Sequence, residues 1–140
     1  IFLRGAKKPL PECVHINDQH ESVDSVNAHK FPTVMNWLND FASKNDGELG
    51  RALFAKVKPN GRVFSHIDEG EYYRVRNRYH VVIESPYGSE MVIGDEKVIF
   101  QEDELWWFDN RSQHEAYNRT GNDRVHLIFD FLPDKKACLL

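Results

Sequence analysis

The chain has 140 residues, 41% of them hydrophobic, and carries a formal net charge of −4 at pH 7. This length suits one domain rather than two, and the apolar content argues against intrinsic disorder. The acidic balance gives no general electrostatic reason to bind nucleic acid or an anionic membrane. No apolar run approaches the roughly 20 residues that a membrane-spanning helix needs. We therefore expect a single domain over residues 1–140, with no nucleic-acid or membrane partner.

The two cysteines, Cys13 and Cys138, lie near opposite ends of the chain. The N-terminal residues lack the apolar core of a signal peptide, so the cysteines favour reduced thiols in a cytoplasmic protein. A single bridge between them is the open alternative. The tripeptide Asn118-Arg119-Thr120 matches a glycosylation acceptor. Without secretion, it is predicted to be the approach to a turn.

One segment has a clear helical period. Its apolar residues recur at positions that fall on one face of a helix over 31–44, namely Phe31, Val34, Met35, Leu38, Phe41 and Ala42. Pro32 suits the first turn, and Asn45-Asp46-Gly47 supplies a stop signal. Part of 20–30 is predicted as a second, short helix.

From residue 50 onward the pattern changes to short strands and turns. Strands are predicted over 51–57, 62–68, 73–85, 90–93, 97–100, 104–108, 114–118 and 124–132. Asn60-Gly61, after Pro59, is a hairpin signal between the first two. This regular spacing predicts a β-sandwich or barrel such as a jelly roll over 51–133. Residues 1–50 would support it, with the helix covering one sheet face.

Three residues have the chemistry and spacing of a metal site. His66 and Asp68 are two positions apart, so in a strand both side chains point to the same face. His114, from another strand, would complete a set of two histidines and one carboxylate, which leaves half of an octahedral ion open. Nitrogen and oxygen ligands without a thiolate suit Fe(II), Mn(II) or Ni(II) better than a closed zinc site. The alternative is that each histidine is an ordinary core or surface residue.

A basic tract precedes a buried strand. In an extended strand, Arg74, Arg76, Arg78 and His80 would share one face. The simple interpretation is an exposed basic edge. However, the apolar residues 81–83 follow at once, so Arg78 and His80 are candidates for an inward pocket that binds an anion. Arg74 is expected to be solvated.

The last predicted strand places Arg124, His126 and Asp130 on one face. An inward Arg124 requires an acidic partner, because burying an unpaired charge costs several kcal/mol. That partner is either Asp130 or a dicarboxylate ligand, and both alternatives are open. Arg124 follows His114 by ten residues, close enough to hold an anionic cosubstrate beside the metal. His126 is expected to pack in the core.

Several ordered motifs in the last 80 residues resemble one enzyme family. They are Pro59-Asn-Gly61, His66-Ile-Asp68, Arg78-Tyr-His80-Val-Val-Ile83, Gly94-Asp-Glu96, Leu105-Trp-Trp-Phe-Asp-Asn110, His114-Glu-Ala-Tyr-Asn118 and Arg124-Val-His-Leu-Ile-Phe-Asp130. Together they are similar to the aspartyl/asparaginyl β-hydroxylases, which are Fe(II)- and 2-oxoglutarate-dependent oxygenases. The resemblance implies a double-stranded β-helix, a cupin-like jelly roll, and a single oxygenase domain.

The resemblance also implies a role for each site residue. His66 and His114 match the iron-binding histidines, and Asp68 stands where many members of the wider superfamily have a carboxylate ligand. The well-known animal β-hydroxylases lack that carboxylate, so this chain departs from them. Arg124 matches the arginine that pairs with the distal carboxylate of 2-oxoglutarate. Arg78 and His80 match residues near the cosubstrate and substrate carboxylates. Asp109, Asn110 and Glu115 are candidates to orient the imidazoles, and the alternative for each is an ordinary residue of a surface turn.

The expected activity is hydroxylation of an unactivated C–H bond in an amino-acid unit, with 2-oxoglutarate and O₂ consumed. Asp or Asn within a peptide is the first expectation for the substrate. A free amino acid such as proline is the alternative among enzymes. A cupin-like module that binds a metal or ligand without turnover is the alternative from another class.

Overall fold

The computed structural model describes residues 1–134. The chain forms two compact units. The first comprises 1–53, 69–77 and 129–134, and the second comprises 54–68 and 78–128. No helix within residues 1–134 is long and apolar enough to cross a membrane. Cys13 is exposed and free, whereas Cys138 lies outside the described residues.

Strands dominate the secondary structure. The strands are β1 (Phe2–Ala6), β2 (Ser22–Asp24), β3 (Gly47–Val57), β4 (Arg62–His66), β5 (Asn77–Glu84), β6 (Ser89–Ile93), β7 (Glu96–Val98), β8 (Leu105–Trp107), β9 (His114–Asn118) and β10 (Arg124–Pro133). The helices are α1 (Pro32–Lys44) and the single turn α2 (Glu71–Arg74), with short 3₁₀ turns at Ile16–Asp18 and Ala28–Lys30. The second helix expected within 20–30 is therefore only the latter 3₁₀ turn.

The second unit is a double-stranded β-helix. One of its sheets has the strand order β4-β9-β6-β7. The other has the order β3-β10-β5-β8, to which β3 contributes its C-terminal part and β10 its N-terminal part. A cluster of buried apolar side chains, Val82, Met91, Phe100, Phe108 and Ala116, forms the core of this unit. The predicted mainly β jelly roll is confirmed.

The two neighbouring tryptophans of β8 illustrate how strand alternation builds this core. Trp106 stacks on Phe100 with ring centroids 4.4 Å apart and an interplanar angle of 9°. Trp107 points to the opposite face of the strand and is 48% exposed. The two rings thus lie on opposite faces, as the alternation predicts.

In the first unit, α1 packs on the sheet that has the order β2-β1-β3-β10. The Phe41 ring meets Phe129 and Phe131 of β10 edge-on, at centroid distances of 5.0 and 5.7 Å. Such pairs add about 0.5–1.5 kcal/mol beyond their buried area. The helix begins at Pro32 and ends where the Asn45 side chain donates to the Phe41 carbonyl at 2.7 Å. Both boundaries agree with the sequence signals.

The strand predicted over 73–85 is wrong in its first part. Residues 71–74 form α2, and β5 begins only at Asn77. The Asp18 carboxylate accepts a hydrogen bond from the Glu71 backbone N–H at 2.9 Å, which stabilises the start of the helical turn. This contact spans 53 residues of sequence, so local β propensity could not reveal it. Arg74 and Arg76 therefore do not share a strand face with Arg78 and His80, although Arg74 is solvated as expected.

The turn at Pro59-Asn60-Gly61 is present, but it does not close a hairpin. Asn60 has a φ of +55°, and the Gly61 N–H donates to the Lys58 carbonyl at 2.9 Å. The strands on either side, β3 and β4, belong to different sheets, as consecutive strands do in a double-stranded β-helix.

Asn118 serves as a turn-fixing residue, and its side chain is 1% exposed. Its amide donates to the carbonyls of Val57, Lys58 and Asn122, and its oxygen accepts from Thr120. Residues 118–120 therefore approach a turn, as predicted, and the buried amide is not placed as a glycosylation acceptor.

A buried tyrosine holds three segments of the first unit together. The Tyr72 hydroxyl donates to the Asp130 carboxylate at 3.0 Å and accepts from the Arg51 backbone N–H at 2.7 Å. The guanidinium groups of Arg51 and Arg76 lie over its ring, 3.9 and 4.1 Å from the centroid. Burial, with the neighbouring Asp130 carboxylate, raises the pKa of Tyr72 far above its usual range.

We expect Tyr72→Phe to lower the free energy of unfolding by about 1–3 kcal/mol, because it leaves a buried donor and a buried acceptor without this partner. Denaturant titration measures the change. Tyr87→Phe, at a side chain that is 96% exposed, is the matched control and should stay within about 0.5 kcal/mol of wild type. Equal stability of the two variants would contradict the assigned role of Tyr72.

Candidate metal centre

The pairing of β4 with β9 brings two histidines side by side. His66 is directly opposite His114 in this antiparallel ladder. Residues in such pairs have Cβ atoms about 4.5–5.5 Å apart, and the two imidazole centroids lie 4.3 Å apart. The contact is therefore a consequence of strand register, since a shift by one residue would turn one ring to the other face.

Both imidazoles are held in the same tautomer. His66 Nδ1 lies 2.7 Å from the Phe64 carbonyl, and His114 Nδ1 lies 2.8 Å from the Ser112 carbonyl. A carbonyl oxygen only accepts, so each Nδ1 carries a hydrogen, and Nε2 is the ring atom of each histidine that is free to bind a metal. This is the arrangement by which outer partners orient imidazoles that ligate a metal. Burial lowers the pKa of His114, which keeps that ring neutral.

Asp68 completes the group. Its carboxylate Oδ1 lies 3.6 Å from His66 Nε2, and the ligand atoms of His66, Asp68 and His114 all lie within 4.8 Å of one another. Asp68 is not in a strand, because β4 ends at His66. The alternation argument that paired His66 with Asp68 was therefore wrong in its geometry, although the two side chains do converge.

The donor set fits a metal ion that must also bind a ligand. Two imidazole nitrogens and one carboxylate oxygen are three donors, fewer than the four of a closed structural zinc site. The His66 side chain is 42% exposed, whereas that of Asp68 is 10% exposed, so the group is open on one side. These residues can hold a metal ion and leave positions free on it.

A second group of polar residues is buried in the same unit. Arg124, His126 and His80 are 6%, 1% and 6% exposed. One Arg124 amino group lies 3.0 Å from His126 Nδ1 and 3.1 Å from the Met91 sulfur. His80 Nδ1 lies 3.1 Å from the same His126 nitrogen.

The arginine fixes the proton positions in this group. Because Arg124 only donates, His126 Nδ1 is an acceptor, and His80 must donate to it through its own Nδ1–H. Burial lowers the pKa of His126 to about 3, with Arg124 as a further cause. Burial also lowers the pKa of His80 well below its usual value. Burial lowers the pKa of Arg124 to about 10, so Arg124 still carries its charge at neutral pH beside two neutral imidazoles.

Within residues 1–134, the structure shows no ion pair for Arg124. Asp130, the partner considered from sequence, belongs to the first unit and accepts from Tyr72 instead. A buried cation without an anionic partner is costly. The second alternative from the sequence, a dicarboxylate ligand, stays a prediction.

One cavity joins the two groups. It has a volume of about 150 Å³, and its lining includes His66, Asp68, His114, Arg78, His80 and Arg124. The structure thus places all six residues proposed from sequence in one small cavity. Apolar side chains such as Val57, Met91 and Ile128 contribute to the remaining wall. A larger open cavity in the first unit, about 560 Å³, has the acidic side chains Asp46, Glu48 and Asp134 in its lining.

Other sequence candidates lie elsewhere or act differently. Arg76 is in the first unit, where it donates to the His20 carbonyl at 3.1 Å. Asp109 and Glu115 pair with the arginines Arg111 and Arg62, so they do not orient the imidazoles. Backbone carbonyls two residues before each histidine take that role. Only the register of the β4–β9 pair would have pointed to these two carbonyls, and a single sequence does not reveal that register.

The chain belongs to the aspartyl/asparaginyl β-hydroxylase family, whose model matches residues 14–133. Together with its fold, this makes it a hydroxylase-type cupin. No curated protein matches the sequence.

Solved structures show the same type of fold at low identity. A non-heme monooxygenase, a ThoJ–nickel complex, has a TM-score of 0.52 and 14% identity over 71% of this chain and 50% of its own. A predicted oxalate decarboxylase from Thermotoga maritima has a TM-score of 0.45 and 14% identity. The match covers 65% of this chain and 96% of the decarboxylase chain. A salicylate 1,2-dioxygenase from Pseudaminobacter salicylatoxidans has a TM-score of 0.47 and 14% identity. The match covers 68% of this chain and 32% of the dioxygenase chain. At these identities the likeness concerns the fold alone.

The buried histidines predict how stability depends on pH. A histidine whose pKa is lowered in the folded state stabilises the fold fully above its unfolded pKa, about 6.5, and loses that contribution as the pH falls. His126→Gln keeps an acceptor but does not titrate. As the pH falls from 5.5 to 4, we expect the free energy of unfolding to decrease less steeply for His126→Gln than for wild type. The two slopes should differ by up to about 1.4 kcal/mol per pH unit.

Denaturant titrations across this pH range measure the two slopes, with His29→Gln as the matched control at an exposed position. Parallel curves for His126→Gln and wild type would show that His126 is not held neutral in the folded protein.

Proposed function

We propose that this chain is an Fe(II)- and 2-oxoglutarate-dependent oxygenase that hydroxylates an unactivated C–H bond of an amino-acid unit. The observation that carries the proposal is the cavity that Arg124 shares with the His66, Asp68 and His114 group. Arg124 requires an anion, and the other group can hold a metal. A dicarboxylate with a metal-chelating 2-oxo acid at one end satisfies both requirements with one ligand.

In this proposal His66, Asp68 and His114 hold Fe(II). The Nδ1–H of each imidazole donates to a backbone carbonyl, so Nε2 of each ring is the atom that would bind the metal. Three protein donors would leave three positions of an octahedral ion open. A chelating 2-oxo acid would need two of these, and O₂ would need the third.

The cosubstrate is bound by the polar wall of the cavity. Arg124 pairs with the distal carboxylate through its planar guanidinium, which suits bidentate binding. Arg78 contributes a second cation at the cavity wall. His80, which donates its Nδ1–H to His126, has only an acceptor left at Nε2. As a neutral ring, it therefore shapes the cosubstrate site without donating to a carboxylate.

When the iron, 2-oxoglutarate and O₂ are bound, the site supplies oxidative decarboxylation to succinate and CO₂ coupled to insertion of one oxygen atom into a C–H bond. The chain itself provides orientation. Arg124 and the metal ligands fix the two ends of the cosubstrate, and the apolar part of the wall limits water around the reacting groups.

For the substrate we propose Asp or Asn within a peptide, by family membership. A free amino acid of the proline type is the alternative. Turnover of 2-oxoglutarate with a panel of peptides and amino acids separates the two. We also place the reaction in the cytoplasm, without a nucleic-acid or membrane partner.

Anaerobic titration with Fe(II) and then 2-oxoglutarate tests the function directly. We expect the weak visible charge-transfer band of a chelated 2-oxo acid, followed by succinate release when O₂ is admitted. Arg124→Ala should keep metal affinity but lose about 10–100-fold in 2-oxoglutarate affinity, since a charge-assisted contact is removed.

Arg119→Ala, at an arginine whose side chain is 60% exposed, is the matched control and should bind like wild type. Arg124→Met, which better conserves volume, serves if the alanine variant unfolds. Absence of the band together with no 2-oxoglutarate binding would overturn the oxygenase proposal. Binding without succinate release would instead indicate a module that senses a ligand without turnover.

A further inference from the structure

Asp68 lies beyond the end of β4, so strand geometry does not orient its side chain. The β4–β9 ladder changes register between Val63 and His66, and β4 ends two residues before Asp68. A carboxylate beyond the end of a strand can turn about its own side-chain bonds. Something other than strand geometry must therefore aim it at the histidines.

Asn110 supplies this support at two points. Its backbone carbonyl accepts from the Asp68 N–H at 3.0 Å, and its side-chain amide donates to Asp68 Oδ2 at 2.9 Å. The carboxylate oxygen only accepts, so the amide must present its NH₂ group there. Asn110 is 1% exposed, so water does not compete with either bond. The main chain and the side chain of residue 68 are both fixed by one neighbour.

Arg78 provides a second donor to the same oxygen. Its guanidinium lies 2.9 Å from Asp68 Oδ2, and the two side chains are 15% and 10% exposed. Oδ2 thus receives two hydrogen bonds, one of them from a cation. The other oxygen, Oδ1, is the one that faces His66 Nε2 at 3.6 Å.

We propose that Asn110, assisted by Arg78, is a positioning residue that makes Asp68 a ligand through Oδ1 alone. Two donors on Oδ2 oppose binding of both carboxylate oxygens to the metal. The distinction matters because a two-oxygen carboxylate would occupy a fourth position of the octahedron. Only two positions would then remain for a chelating 2-oxo acid and O₂, which together need three. This inference rests on the proposed function for the identity of the metal and its ligands.

A double-mutant cycle on metal affinity tests the coupling between Asn110 and Asp68. Binding of Fe(II), without 2-oxoglutarate and without O₂, is measured for wild type, Asn110→Ala, Asp68→Ala and the double variant. We expect Asn110→Ala to weaken binding about 10–100-fold in the wild-type background. In the Asp68→Ala background we expect less than about a twofold further change, because the residue acts only through Asp68.

Asn118→Ala is the matched control, since Asn118 is equally buried and hydrogen-bonded in the same unit but does not contact the three ligands. It is expected to unfold at lower temperature with unchanged metal affinity. Thermal unfolding of every variant shows which ones fold. If Asn110→Ala does not fold, Arg78→Met replaces it in the cycle. We then expect Arg78→Met to weaken Fe(II) binding in the wild-type background and to have little further effect in the Asp68→Ala background.

Co(II) substitution adds a readout of ligand number. Its visible absorption changes in intensity with coordination number. Loss of one of the two donors to Oδ2 in Asn110→Ala should therefore alter the spectrum at saturating Co(II). Unchanged affinity in Asn110→Ala, or an equal loss in both backgrounds, would overturn the inference while leaving the proposed function intact. Unchanged affinity in Asp68→Ala would overturn both, because Asp68 would then not be a ligand.

Discussion

The register between β4 and β9 is the constraint on which the candidate site depends. It sets His66 opposite His114, and each ring is then locked by a carbonyl two residues earlier in its own chain segment. Neither imidazole needs a specialised partner, because the local backbone supplies one. A slip of one residue would separate the rings by turning one of them over. The same strand β9 pairs with β6, and its Ala116 belongs to the apolar core cluster of the second unit.

Charge explains the other half of the cavity. Arg124 is buried with sulfur and imidazole neighbours instead of a carboxylate, which is an expensive arrangement for the protein alone. His126 accepts from both Arg124 and His80, so one neutral ring holds the orientation of a cation and of a second ring. The metal group also carries a cation nearby, because Arg78 pairs with Asp68. Within residues 1–134, Arg124 thus carries a positive charge that no carboxylate pairs, and in the proposed function an anionic ligand would offset the cost of burying it.

Some parts of the structure could be predicted from the sequence, and others could not. The face of α1 and the strand 114–118 were predictable, because local periodicity and packing agree there. The turn α2 was missed, since the Asp18 side chain that stabilises it comes from a distant segment. Asp68 was predictable as a candidate metal ligand from its carboxylate and its distance from His66 in the sequence. Strand alternation, however, does not orient its side chain. Asn110 and His126 act through contacts 42 and 46 residues apart, and such pairings have no local signature in one sequence.

In the proposed function, a metal and a dicarboxylate share one cavity and bind it together. Calorimetric titration of 2-oxoglutarate and of glutarate, each with and without Mn(II) and without O₂, measures this coupling. Both ligands can reach Arg124, but only 2-oxoglutarate can also chelate the metal. We expect Mn(II) to tighten 2-oxoglutarate binding at least tenfold and glutarate binding much less. By linkage, 2-oxoglutarate must tighten Mn(II) binding by the same factor. Equal 2-oxoglutarate affinity with and without the metal would show that the two do not bind in contact.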